Sequence, residues 1–288
     1  MKLLSLVGTR PQFIKVAAIE RAAKDHCEHM IMSLDQHWDF EMSKMFSEEY
    51  DTQIRGFDPY PLAKYNPDYI LVYGDCNCTV EASGIAKKYN YPLVHVEAGL
   101  RCSDPIPEEF IRRGVDHMSD VNLCPTKQSY YNLLDERCLG DAVFVGDVLL
   151  DLLEIPPLTE GDRLYQAYNL LTVHRQDSMP VLSEMLETIP RDLPVLWIMH
   201  PRVRDNFDSS LIPKDFIVND PVQHSEMLKL ICDANHVYTD SGGVYRESIW
   251  LDTPVTSLRP FHEFDGVTKE DFGNGDAAIK SIEYLEYR

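Results

Sequence analysis

Three kinds of side chain in this sequence have types and spacings suited to chemistry, and they fall just after short apolar runs. Anion-binding groups are the first kind. Arg10 and Lys15 flank the start of a helical pattern in GTRPQFIK, and Ser241-Gly242-Gly243 follows the run HVYT. Bare glycine amides at a helix N-terminus suit a phosphate, because unpaired N–H groups and the helix dipole both point at it. Read alone, Gly242-Gly243 is better explained as a plain strand-to-helix turn. Asp240 and Ser241 before it, and Glu247 one turn into the helix, favour a ligand site.

Carboxylates are the second kind: Asp75 after YILVY, Glu97 after PLVHV, and Glu108 in PEEFIRR. Abstracting a proton from carbon, or protonating a leaving oxygen, needs carboxylates tuned by a buried and charged setting. Each also has an ordinary role open to it. Asp75 can cap a helix, and Glu108 and Glu109 can pair with Arg112 or Arg113 along a helical face. Histidine is the third kind. His174 follows LLTV and precedes Arg175, which suits a diphosphate contact or a general acid; His37 and His200 resemble it in placement. His95, between Val94 and Val96 inside a strand pattern, reads as structural.

No glycine fingerprint for NAD, Walker A loop or nucleophile elbow occurs, so the chemistry is expected to need no redox cofactor and no ATP. Cys76-x-Cys78 has no second pair at zinc-like spacing, and no metal site is expected.

The elements that position these groups alternate regularly. Leu3–Val7, Tyr69–Tyr73, Pro92–Val96, Val121–Cys124 and Val143–Val145 read as buried strands, each followed by a polar turn, most of them leading into a helical stretch. A second series, Leu170–Val173, Pro194–Met199, His236–Thr239 and Pro254–Leu258, begins beyond the acid- and proline-rich stretch 154–162. Such alternation predicts doubly wound parallel α/β sheets, with ligands bound just beyond the strand ends. Two Rossmann-like domains facing a cleft are expected, 1–150 carrying the carboxylates and 151–288 binding the anion.

Bulk properties narrow the partners. The 288 residues are enough for two modest cores, and 27 basic against 47 acidic residues leave a net charge of −20. That surface repels nucleic acid and anionic membranes. The opening MKLLSLVGTR lacks a cleavage-site pattern, and no run approaches the roughly 18 apolar residues of a membrane span. Seven cysteines, an odd number, predict reduced thiols rather than a disulfide framework. A soluble, cytoplasmic protein is expected.

The ordered motifs GTRPQFIK, QH at 36–37, YGD at 73–75, HVEAGLR at 95–101, PEEFIRRGVDH at 107–117, GD at 146–147, HR at 174–175 and TDSGG at 239–243 resemble the UDP-N-acetylglucosamine 2-epimerase family. The resemblance spans about residues 1–260. It implies a glycosyltransferase-B type fold and NAD-free inversion at C2 of a UDP-sugar, through elimination of UDP and its re-addition to a 2-acetamidoglucal. It also implies a homodimer. By motif, Asp75, Glu97 and Glu108 match the catalytic acidic residues and His174 the functional histidine. Arg10, Lys15 and Arg112 match substrate contacts, Ser241, Gly242 and Gly243 the diphosphate site, and Glu247 the ribose contact.

The sequence departs from the family in places. Phe264-Asp265 replace an Arg-Pro of a TERPE-like stretch, although Arg259 and Glu263 remain; Met227 stands where an aromatic is usual; and Cys76 and Cys78 replace threonines. The chain is short between Phe46 and Tyr69 and after Asp276. Alternatives therefore stay open: a 2-epimerase of a more substituted UDP-sugar such as a diacetamido uronic acid, a hydrolysing epimerase, a UDP-sugar glycosyltransferase, or a non-catalytic UDP-sugar binder.

Overall fold

The computed structural model describes residues 1–34, 54–56, 59–103, 106–153, 167–260, 262–264 and 266–288. Two compact units result: Met1–Leu153 together with Thr268–Arg288, and Glu154–Val267.

The first unit holds a parallel sheet of seven strands: β1 (Lys2–Val7), β2 (Glu28–Ser33), β3 (Ile54–Gly56), β4 (Tyr69–Tyr73), β5 (Leu93–Val96), β6 (Val121–Cys124) and β7 (Asp141–Phe144). Their order across the sheet is β3-β2-β1-β4-β5-β6-β7. The direction of winding reverses between β1 and β4, which pair through Leu3–Tyr69 and Ser5–Leu71. Such a reversal leaves a crevice at the strand C-termini. Leu4, Leu6, Ile70, Val72 and Leu93 are fully buried on one side, and Leu3, Val7, Leu71 and Val94 on the other. That two-sided burial is why the strands read as continuous apolar runs rather than as alternating ones.

The second unit repeats the plan with β8 (Asn169–Val173), β9 (Val195–Met199), β10 (Phe216–Asn219), β11 (His236–Thr239) and β12 (Val255–Ser257), in the order β10-β9-β8-β11-β12. Its reversal lies between β8 and β11. Trp197, Leu171 and Val173 pack one face, and Leu170, Leu196 and Val237 the other.

Two differences from the sequence reading are informative. β2, β3 and β10 are strands beyond those the apolar runs marked: β2 opens on the polar Glu28 and His29, β3 is a three-residue edge strand, and β10 is a four-residue edge strand whose Ile217 and Val218 face solvent. Second, residues 268–288 return to the first unit instead of completing a domain 151–288. Ala277, Ala278, Ile282 and Leu285 of the helix Ala277–Tyr287 enter the same core as Phe13, Val16 and Ile19 of the helix Arg10–Ala23. Asp151 accepts hydrogen bonds from the Ala277 and Ala278 amides at that helix start, at 3.1 and 2.5 Å. The helix Ala277–Tyr287 thus packs over a face of the first unit's core.

Candidate active site

In the first unit the candidate residues gather at the ends of β1, β4 and β5. After β1 the chain turns through Gly8 and Thr9 into the helix Arg10–Ala23, whose Pro11 suits a first turn. Gln12, three residues after Thr9, accepts the Gly8 and Thr9 amides at 2.7 and 3.2 Å through its Oε1. Its Nε2 donates to the Tyr73 carbonyl at 2.7 Å and to Thr79 Oγ1 at 3.0 Å. Gln12 thereby ties the Arg10-bearing turn to the Asp75-bearing turn. The Thr9-x-x-Gln12 capping pattern was the legible signal for a role not expected of it.

Lys15 reaches Glu97 from the next helical turn, with Nζ 2.5 Å from Oε2; the two side chains are only 4% and 9% exposed. Glu97 takes φ = 70°, a left-handed conformation that a non-glycine residue adopts at a cost. Gly74, at φ = 63°, sits against this pair: a Cβ there would lie 3.4 Å from Lys15 Nζ. The GD turn after β4 is therefore glycine both for its backbone and for the room it leaves the ion pair.

Asp75 pairs with Arg112, which is buried in the helix Pro107–Met118. Arg112 also donates to Glu109 Oε2 at 2.7 Å, and Arg113 Nε to Glu109 Oε1 at 2.8 Å. Glu109 further accepts the Cys102 amide at 3.1 Å. The structural role weighed for the PEE glutamates thus belongs to Glu109, while Glu108 is half-buried in the first helical turn.

His95 is structural, and it supports the site. Its ring is fully buried, with Nδ1 2.7 Å from Asp116 Oδ1 and Nε2 2.8 Å from the Gly74 carbonyl oxygen. Burial alone would raise the Asp116 carboxyl, but hydrogen bonds and charge from His95 and Arg101 hold it below its ordinary value. Asp116 also accepts the Gly99 amide at 3.2 Å and Arg101 Nη1 at 2.8 Å. Within HVEAGLR, then, Glu97 faces the site while His95, Gly99 and Arg101 hold the loop that carries it.

In the second unit, Asp240 after β11 is buried and accepts the His174 and Arg175 amides and the Ser178 hydroxyl at 3.1, 2.9 and 2.7 Å. His174 Nδ1 lies 3.0 Å from Asp240 Oδ1. Burial opposes its ionisation, yet these donors hold the Asp240 carboxyl below its usual range. It therefore orients an imidazole that is itself 40% exposed. The ring of His200, at the end of β9, is 6.0 Å from that of His174.

Ser241 caps the helix Gly242–Trp250, its Oγ accepting the Val244 amide at 3.4 Å. A Cβ on Gly242 would make only ordinary contacts, 3.6 Å from Glu263 Oε1 and 3.7 Å from Phe264 Cε2. The protein's own packing therefore does not demand glycine there. Glu247 is buried with His224, at 2.7 Å between Oε1 and Nε2, a partner the sequence did not nominate. Phe264 is buried, with the Arg246 guanidinium 4.5 Å over its ring, and Arg246 Nε donates to the Gly242 carbonyl at 3.1 Å. Arg259 pairs with Glu263 at 3.3 Å. Met227 packs beside the core of Leu230, Ile231 and Val237. The Arg10 side chain, Gln36, His37 and Asp265 lie outside the described residues.

A family model described as UDP-N-acetylglucosamine 2-epimerase matches residues 53–270. The chain belongs to the UDP-N-acetylglucosamine 2-epimerase family. Within this epimerase family it is 33% identical to a UDP-N-acetylglucosamine 2-epimerase homolog of Methanococcus maripaludis, over 90% of this chain and 84% of that one. It is 32% identical to the UDP-2,3-diacetamido-2,3-dideoxy-D-glucuronate 2-epimerase of Pseudomonas aeruginosa, over 90% and 83%. The crystal structure of Methanocaldococcus jannaschii UDP-GlcNAc 2-epimerase in complex with UDP-GlcNAc and UDP superposes over the whole of both chains, with a TM-score of 0.86 at 28% identity. The fold expected from the sequence, α/β of the glycosyltransferase-B type with two parallel sheets, is the fold of these epimerases.

Proposed function

We propose that this enzyme is an isomerase that interconverts UDP-GlcNAc and UDP-ManNAc. The supporting observation is the intact set of paired charges at the β1, β4 and β5 ends: Lys15 with Glu97, and Asp75 with Arg112. A base removes the C2 proton, the C1–O bond breaks, and UDP leaves with the bonding electrons, giving a 2-acetamidoglucal. Return of a proton to the opposite face of C2 and re-addition of UDP at C1 complete the inversion. Two carboxylates on opposite sides of C2 suffice, and Asp75, Glu97 and Glu108 supply them.

In this reading Lys15, Arg10 and Arg112 offset the charge developing on the departing diphosphate. The Ser241-Gly242-Gly243 amides hold the diphosphate, Glu247 the ribose hydroxyls, and His174, oriented by Asp240, contacts the diphosphate or acts as general acid. No redox cofactor enters these steps. The enzyme works as a cytoplasmic homodimer on a UDP-sugar, without nucleic acid or membrane; no described helix is long and apolar enough to cross a bilayer.

The similarity to the Pseudomonas aeruginosa enzyme supports a second reading, the same epimerisation on a diacetamido uronic acid. Proton NMR in D2O separates them. Deuterium entering C2 of UDP-GlcNAc as UDP-ManNAc appears supports the first; exchange only on UDP-2,3-diacetamido-glucuronate supports the second. Accumulation of free ManNAc and UDP would indicate hydrolysis. Lack of exchange on both sugars would overturn epimerase function.

A further inference from the structure

Next to Asp75, two thiols that the proposed reaction does not use touch each other. Cys76 Sγ lies 2.9 Å from Cys78 Sγ, and both are free thiols. A disulfide needs about 2.05 Å, so bonding requires the sulfurs to close by less than about 1 Å. Cys76 is the N-cap of the helix Asn77–Lys88 and Cys78 lies in its first turn. Helix N-termini favour thiolates because their unpaired amides and dipole stabilise negative charge.

The surroundings divide the labour between the sulfurs. Cys76 is half-buried and accepts Gln12 Nε2 at 2.9 Å, with Thr79 Oγ1 at 3.3 Å and Thr9 Oγ1 at 3.7 Å. Hydrogen bonding from Cys78, then from Thr79 and Thr9, outweighs burial and the Asp75 charge and lowers its thiol well below the ordinary value. Cys78 is buried, lies 3.1 Å from Gln12 Oε1 with its proton shared toward Cys76, and is pushed upward by its neighbour and by burial. Elsewhere burial raises the thiols of Cys27, Cys124, Cys138 and Cys232. Cys76 is therefore the attacking sulfur and Cys78 the resolving one.

We propose that Cys76 and Cys78 form a reversible disulfide that switches the site off by displacing the Gln12 clamp between the Gly8–Thr9 turn and Asp75. Low-molecular-weight disulfides such as oxidised glutathione are the oxidant. The Cys76 thiolate attacks one sulfur of the oxidant and releases one thiol, leaving a mixed disulfide on Cys76. Cys78, losing its proton to solvent, attacks Cys76 Sγ and releases the second thiol. Two protein thiols are oxidised and one external disulfide is reduced to two thiols. A ring spanning a single residue is strained, which makes the bond readily reduced again.

Closure reaches the site through packing. Gln12 loses its contacts to both sulfurs together, and it alone holds the Gly8 and Thr9 amides through Oε1 among the described contacts. Gly8 has no slack against the moving residue, since a Cβ there would stand 2.9 Å from Cys78 Cβ and 3.0 Å from its Sγ. A shift of Cys76 also moves the adjacent Asp75.

The effect on turnover rests on the proposed epimerase reaction, whereas bond formation does not. Whole enzyme is incubated with oxidised glutathione, the remaining thiols are alkylated, and the digest is mapped by mass spectrometry. A peptide 2 Da lighter, cross-linked between Cys76 and Cys78 and lost on adding dithiothreitol, is expected. Exchange at C2 should fall about a hundredfold or more, as roughly ångström-scale misplacement does, and recover on reduction. Cys76→Ser and Cys78→Ser should each prevent the cross-link, while Cys232→Ser behaves as wild type. Wild-type enzyme with both thiols still alkylatable overturns the site. A cross-link that leaves exchange unchanged overturns the switch. A cross-link in a protein with no exchange before oxidation overturns the epimerase reading and leaves the thiol pair standing.

Discussion

Lys15 and Glu97 face each other at 2.5 Å, each almost closed to solvent, and Glu97 reaches this position from a left-handed backbone at φ = 70°. The pair joins the first helix to the end of β5, two segments far apart in sequence. Removing one member of such a buried pair leaves the other charge uncompensated, which costs about 3–5 kcal/mol. Lys15→Met and Glu97→Gln should each lower unfolding stability by roughly that amount, and the double variant by clearly less than the sum. Urea midpoints of the three variants check this, and Glu97→Gln should also abolish C2 exchange.

The two glutamates of PEE should separate cleanly. Glu109→Gln weakens ion pairs to Arg112 and Arg113, costing about 3 kcal/mol. Glu108→Gln should cost less stability than Glu109→Gln and cut kcat strongly. Thermal melts beside kcat and UDP affinity distinguish the two.

Gly99 takes φ = 78°, and an added Cβ would stand 2.2 Å from the Ser129 carbonyl oxygen. Gly99→Ala should destabilise by roughly 2 kcal/mol or more, since both conformation and packing oppose it. Weaker UDP-sugar turnover should follow from the displaced Glu97 loop, measured beside the melting temperature.

Restoring the arginine usual in the family at position 264 should not help this chain. Phe264 is buried beneath Arg246, so Phe264→Arg sets two guanidiniums together out of water. The cost should be roughly 3 kcal/mol. UDP affinity by calorimetry should fall; a gain in affinity would show that Arg246 can move aside.

Acid sensitivity follows from Asp116 and Asp240, whose carboxyls are held below their ordinary values by His95 with Arg101 and by His174 with neighbouring amides, against burial. Between the folded and unfolded values the unfolded chain binds more protons, so stability rises with pH there. The contribution is complete above the ordinary carboxylate value near 4 and disappears as pH falls through the lower folded values. Asp240→Asn should flatten this dependence in the second unit, measured by chemical unfolding from pH 3 to 6.

Much of the architecture follows from local sequence. Tyr69–Tyr73 and Leu170–Val173 are apolar runs buried on both faces, and the polar residues after them mark the strand ends where the candidate site residues lie. Asp75, Glu97, His174 and Ser241 are legible because each follows a strand at a turn, and Lys15 because it lies near the start of the helix after β1. β2 escaped that reading because it opens on the polar Glu28 and His29, and β3 and β10 because they are edge strands of only three and four residues.

Tertiary structure alone decided the partners. Which PEE glutamate grips Arg112, that Asp75 meets the same arginine, that His224 faces Glu247 and Arg246 covers Phe264, depend on segments brought together by the sheets. The return of Ala277–Tyr287 to the first core is of the same kind. Periodicity records which face of an element is buried, because burial acts residue by residue along the chain. It carries no record of what lies opposite, because ion pairs and stacked rings form between residues whose separation in sequence is arbitrary.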